Sequence, residues 1–165
     1  LALNGVIAAA YAALTYVAAA MNLAYGPVQF RVSEALTVLP FLFPGTWPGL
    51  FVGCLVTNLM STVGPLDIVL GSLATLLAAC ITAKLPAKWK WFAPLPPVLS
   101  NALMIGALLG WYSAGFGPAF PAAFAFNALT VGLGELIACY VFGGVLLIGL
   151  PKIHFFRQML PADKV

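Results

Sequence analysis

"GPLDIVLGSLATLLAACITAKLPAKWK", residues 64–90, decides the fold. Pro65 suits a helix first turn, where its missing N–H would have had no partner anyway. Asp67 follows in the same turn, where a carboxylate favours the helix dipole. No charged side chain then occurs until Lys84. A bilayer core takes about 20 apolar residues as one helix, and the run over 66–85 has that length. It leads into Lys84, Lys88 and Lys90, with Trp89, Trp91 and Phe92 beside them as an interfacial aromatic anchor. This is a membrane span followed by a basic aqueous loop.

The rest of the chain agrees. Of 165 residues, 63% are hydrophobic and 7% charged, and the mean hydropathy is +1.07. Soluble domains carry roughly 25% charged residues, so these charges are too few to cover a soluble surface of this size. The expectation is an all-α membrane protein, one integral membrane domain over 1–165. Continuous apolar runs exclude an alternating β-barrel pattern. The 16 Gly and 13 Pro are tolerable in membrane helices, whose neighbours re-satisfy the backbone.

Six helices are expected, at roughly 3–23, 32–43, 48–62, 66–85, 96–113 and 121–150. The second and third look short for full spans and suit a kinked or partly re-entrant pair, buried in protein. Lys84, Lys88 and Lys90 lie between helices 4 and 5, and Lys152, Arg157 and Lys164 follow helix 6. Cytoplasmic loops collect Lys and Arg. Both basic segments are therefore expected inside, and six spans put both termini in the cytoplasm. No basic segment precedes the first apolar run, so no cleavable signal peptide is expected.

With that orientation the polar residues gather. Glu34 falls at the outer end of helix 2, Asn58 near the outer end of helix 3, and Asp67 at the outer start of helix 4. Asn127 lies in the outer half of helix 6 and Glu135 near its middle. Asn101, near the inner end of helix 5, is expected to fall outside this group. The pattern describes a polar cup open to the outside, suited to an external solute. Arg31 and Glu34, spaced i, i+3, either pair with each other at a helix entry or face the cup. Asp67 is either a dipole-favoured first-turn acid or a cup residue. Glu135 is harder to explain structurally, because a mid-span carboxylate costs about 2.5–3.5 kcal/mol even on lenient scales. Asn58 and Asn101 also suit interhelical hydrogen bonding.

Other chemistry is missing. There is no HExxH, Walker A loop, GxSxG or paired-Asp cluster, and "GLGE" at 132–135 lacks the strand context of a nucleotide loop. No enzyme activity, cofactor, metal or nucleic-acid partner is expected. Cys54, Cys80 and Cys139 sit inside spans without a CxxC pair and read as small packing residues. His154 lies in an amphipathic interfacial tail, "KIHFFRQML". A chain with no nucleotide site is either a passive carrier or the partner of an ATPase. Ala8/Ala12 and Ala9/Ala13 in helix 1 form small-xxx-small faces that permit close helix approach, and Gly45/Gly49/Gly53 repeats the spacing.

"YGPVQFRVSEALTVLP" (25–40), "PGLFVGCLVTNL" (48–59), "GPLDIVLGSLATLLAA" (64–79), "APLPPVLSNALMIG" (93–106) and "GLGELIACYVFG" (132–143) closely resemble, in order, the QueT family. These are substrate-binding S components of energy-coupling factor (ECF) transporters for queuosine precursors. The resemblance implies a six-helix bundle with cytoplasmic termini in a prokaryotic plasma membrane. It also implies a coupling subunit and two ATPases as partners, and docking through Ala8, Ala9, Ala12 and Ala13. The implied ligand is a 7-deazaguanine such as prequeuosine or queuine. A carboxylate accepts the paired donors of a guanine-like edge, a cationic aminomethyl group wants a second carboxylate, and a flat ring wants an aromatic face. Arg31, Glu34, Asn58, Asp67, Asn127, Glu135 and Tyr112 supply that inventory, with Tyr25, Phe30 and Trp111 near the same side. An S component for another small vitamin, a small channel or packing protein, and, third, a membrane enzyme are the alternatives.

Overall fold

Pro48, Pro65, Pro96 and Pro121 each stand in the first turn of a helix, where proline costs no hydrogen bond. The computed structural model describes residues 1–25 and 29–164. In chain order its main helices are α1 (Ala2–Ala20), α2 (Val32–Leu42), α3 (Trp47–Asn58), α4 (Pro65–Ala83), α5 (Leu95–Ala114) and α6 (Phe120–Lys152). No strand occurs among the described residues. Four segments are long and apolar enough to cross a membrane: Ala2–Ala20, Pro65–Ala83, Ala87–Ala114 and Phe120–Lys152. The intervening α2 and α3 are shorter, as their sequences suggested.

Two helix ends carry information. α1 stops at Ala20, short of the expected 23, because Asn22 adopts φ 57°. The Leu23 and Asn22 amides return to the Ala18 and Ala19 carbonyls, both at 2.9 Å. This is a left-handed cap that asparagine tolerates. α2 is wound tightly, as a 3₁₀ helix, over Val32–Val38 and turns α-helical only at Leu39–Leu42. A 3₁₀ helix rises about 2.0 Å per residue against about 1.5 Å in an α-helix, so few residues carry this segment far into the bundle.

The helices meet where side chains are small. A Cβ on Gly53 would come within 3.0 Å of the Ala8 carbonyl, and the Gly49 amide donates to Asn4 Oδ1 at 2.9 Å. The glycine face of α3 is thus consumed inside the chain, against α1, and is not free for another subunit. α5 and α6 approach equally closely at Gly106 and Ala128.

The lysines share one end of the bundle. Lys164 Nζ donates to the Leu85 carbonyl and lies 3.9 Å from the Phe41 ring centroid. Leu160 joins Phe41, Leu42, Phe43, Ala93 and Leu147 in a buried apolar cluster at the same end. The flanks are apolar and exposed: Val69, Leu73, Leu77 and Ile81 form one stripe down α4. Surface of this kind suits lipid and not water. This is a multi-pass membrane protein.

Candidate functional site

Three of the four acidic residues in the chain, Glu34, Asp67 and Glu135, are buried, together with Arg31. They form two polar layers.

The layer nearer the end opposite the lysines is built on Arg31. Residue 31 is extended (φ −110°, ψ 106°) and delivers its guanidinium inward before α2 begins. Nε donates to the Ala24 carbonyl at 2.6 Å, Nη1 to Asn58 Oδ1 at 3.3 Å, and Nη2 lies 3.9 Å from Asp67 Oδ2. The Tyr25 ring covers the guanidinium at 4.8 Å, and its phenol donates to the Thr57 carbonyl at 2.7 Å. Burial raises the Tyr25 phenol above its ordinary pKa, so it stays a donor. Asp67 also accepts from Ser61 Oγ at 2.5 Å, and Asn58 Nδ2 donates to the Asp67 carbonyl at 3.3 Å. The i, i+3 pairing of Arg31 with Glu34 does not form. Asp67 stands in the first turn of α4, where the dipole favours it, and its carboxylate is also engaged by Arg31 and Ser61.

The second layer lies deeper, level with the middle of α1. The Tyr11 phenol donates to Glu34 Oε1. Thr37 Oγ1 donates to the Glu34 carbonyl at 2.5 Å, and Thr15 Oγ1 to Ser33 Oγ at 2.7 Å. From α6, Cys139 Sγ lies 3.4 Å from the Glu34 carbonyl and 3.8 Å from Glu135 Oε2. The Asn101 carboxamide lies beside both the Glu34 and the Glu135 carboxylate, but its Nδ2 closes no well-formed hydrogen bond to either. Widened π-type turns over Ile137–Phe142 follow Glu135 and include Cys139; such insertions recur at functional sites.

Gly134 makes this depth possible. A side chain there would overlap the Gln29 carbonyl oxygen. The 29–31 segment therefore lies directly on α6 and enters the bundle below its rim. "GLGE" is no nucleotide loop; its glycine is a seat for backbone.

Five buried polar atoms have no hydrogen-bond partner among the described residues: Gln29 Nε2, Glu34 Oε2, Asp67 Oδ1, Ser72 Oγ and Asn101 Nδ2. Buried polar groups are paired in roughly 90% of cases or more, and an orphan costs about 1–3 kcal/mol. Three of the five, Glu34 Oε2, Asp67 Oδ1 and Asn101 Nδ2, belong to the two layers.

Arg31, Asn58 and Asp67 thus come together in one layer, and Glu34 and Glu135 in the other. Asn127 is buried but donates to the Ala123 carbonyl of its own helix at 2.8 Å. Tyr112 is half exposed, with its phenol beside Gly64. No hydrogen bond or ion pair joins either of their side chains to the two layers among the described residues. Asn101, expected outside the group, is buried beside the Glu34 and Glu135 carboxylates. Tyr11 was also missed. Its signal was an aromatic hydroxyl in an alanine-rich span, since a buried tyrosine seeks a partner. Cys54 and Cys139 do more than pack: Thr75 Oγ1 and Asn58 Nδ2 approach Cys54 Sγ at 3.2 and 3.3 Å.

Several cavities adjoin the bundle, two of them toward the Arg31 layer and the outer ends of α4 and α5. One of about 210 Å³ opens near Arg31, between Tyr16, Asn22, Tyr25, Met60 and Thr62. Another, of about 440 Å³, is lined by Leu66, Leu70, Met104, Leu108, Trp111 and Phe116. Its apolar walls do not suit a solute with hydrogen-bonding edges.

A family model described as QueT transporter matches residues 1–152. A curated protein named Queuosine precursor transporter QueT, from Lactococcus lactis subsp. cremoris (strain MG1363), is 35% identical over 72 residues, 44% of this chain. The match spans 42% of that relative's length. No solved structure matches.

Proposed function

Because this chain belongs to the QueT transporter family, we propose that it captures a queuosine precursor, a 7-deazaguanine, as the S component of an ECF uptake transporter. The observation that carries the reading is the set of orphaned buried polar atoms around Glu34 and Asn101. A deazaguanine ring presents N1–H and an exocyclic amine side by side, next to a ring carbonyl. Glu34 Oε2 is an acceptor without a donor, and Asn101 Nδ2 is a donor without an acceptor. The Tyr11 phenol holds the other Glu34 oxygen, so the carboxylate is oriented before the ligand arrives. Arg31 and Asp67 tie the start of α2 to α4 and wall the site on the side nearer the mouth.

In this proposal the chain is one integral membrane domain, a six-helix bundle in a prokaryotic plasma membrane. Both termini and the lysine-bearing end are cytoplasmic. A coupling subunit and two ATPases supply the energy that the chain cannot. Helix α1 docks on the coupling subunit. Ala9 and Ala13 are exposed and suit that contact, whereas Ala8 and Ala12 are half-buried and Ala8 packs on Gly53.

Calorimetry and thermal-shift measurements on the purified protein, against 7-deazaguanines and a panel of vitamins, test the reading. Stabilisation by a 7-deazaguanine supports it. Stabilisation by a vitamin alone overturns the substrate, and co-purification without ATPase subunits from cells that express them overturns the S-component role.

A further inference from the structure

The deeper layer has an order that the family relationship does not supply. Glu34 and Glu135 lie on different helices, and the Asn101 carboxamide lies beside both. Asn101 Nδ2 and Glu34 Oε2 are orphaned, and all three residues are buried. Tyr11 of α1, Arg31 before α2, Cys54 of α3 and Cys139 of α6 face these carboxylates. Among the buried residues there are three carboxylates and one guanidinium. That guanidinium pairs with Asp67 in the other layer. Among the described residues neither Glu34 nor Glu135 makes an ion pair, the nearby Arg31 being engaged with Asp67, in a setting where an isolated buried charge is costly.

We propose that Glu34, Asn101 and Glu135 form a row reading acceptor, donor, acceptor, and that Glu135 is the specificity residue that binds a ligand's positively charged amine. The proposal rests on the deazaguanine reading above and deepens it. Along one side of a 7-aminomethyl-7-deazaguanine the groups run in the complementary order. The ring N–H donors come first, then the ring carbonyl, then the ammonium on the 7-substituent. Glu34 takes the donors, Asn101 the carbonyl and Glu135 the ammonium. The ligand thereby brings a second cation to the carboxylates, one that pairs directly with Glu135. A neutral 7-substituent leaves Glu135 without its partner, so the site selects amine-bearing deazaguanines over neutral ones.

The test is a matrix of dissociation constants. The ligands are 7-aminomethyl-7-deazaguanine, its 7-cyano counterpart and unsubstituted 7-deazaguanine. The proteins are wild type, Glu135→Gln, Glu135→Asp and Glu34→Gln. Wild type should prefer the amine over both neutral rings by roughly 30- to 1000-fold, the worth of a buried charge-assisted pair. Glu135→Gln should shrink that preference to a few-fold, losing far more affinity for the amine than for either neutral ring. Glu135→Asp should restore part of the preference, and Glu34→Gln should weaken all three ligands. Equal binding of the three by wild type overturns the proposal and leaves the deazaguanine reading standing. So does an equal loss of amine and neutral rings in Glu135→Gln. Binding of none of the three overturns the deazaguanine reading and this proposal together.

Discussion

Arg31 is paired with Asp67 across the bundle, Nη2 to Oδ2 at 3.9 Å, and not with Glu34 on the next turn of its own segment. Both residues are buried. Removing one partner of a buried pair leaves an uncompensated charge and costs about 3–5 kcal/mol. Arg31→Gln and Asp67→Asn should each lower thermal stability on that scale. The double variant should recover about 1–3 kcal/mol relative to their sum. A double-mutant cycle on thermal unfolding in micelles measures this, and simple additivity would show that the pair is not coupled.

Glu34→Gln keeps the shape of the side chain but presents an amide donor to the ligand's own donors. Affinity for a 7-deazaguanine should fall by about 2–4 kcal/mol, roughly 30- to 1000-fold. Tyr11→Phe, which frees Glu34 Oε1 from the phenol, should cost about 1–3 kcal/mol of binding. Titration calorimetry decides. Unchanged constants in both variants would remove Glu34 from recognition.

Gly134→Ala forces a methyl into the Gln29 carbonyl. The 29–31 segment must lift, at about 1–3 kcal/mol of stability for overpacking, and Glu34 and Arg31 should lose their placement with it. Gly144→Ala, lower on the same helix, meets nothing within 4 Å and should be neutral or slightly stabilising. Comparing melting temperature and ligand affinity in the two variants isolates the close approach from general glycine loss.

On α1, Ala13→Leu places bulk on an exposed face and should abolish uptake in cells while ligand affinity of the purified protein stays within about a few-fold. Ala8→Leu presses on Gly53 and should lower stability in the isolated protein. Equal loss of binding and uptake in Ala13→Leu would mean that the face serves the bundle and not a partner.

Cysteines introduced as Lys88→Cys and Gln158→Cys should react only with reagent supplied from the cytoplasm, and Phe116→Cys only from outside. External labelling at 88 would reverse the orientation that the lysines imply.

The order of the helices, their apolar character and the basic end were all legible in residues such as Pro65, Leu66–Ala83 and Lys84–Lys90. Each depends on local free energies: transfer of apolar side chains into lipid, a proline without its N–H, a lysine excluded from the bilayer. These act on a segment whatever surrounds it. The carboxylates, too, were conspicuous in the sequence. Their partners were not. Asn101 comes to lie beside Glu34 and Glu135 because Val32–Val38 is tightly wound and because Gly134 admits the Gln29 carbonyl against α6. Arg31 finds Asp67 only because its extended backbone turns it toward α4. Such contacts hang on the relative depth of non-neighbouring helices, and a shift of one turn would exchange every partner. Composition and spacing carry no term for that depth, so packing alone decided which polar residues meet.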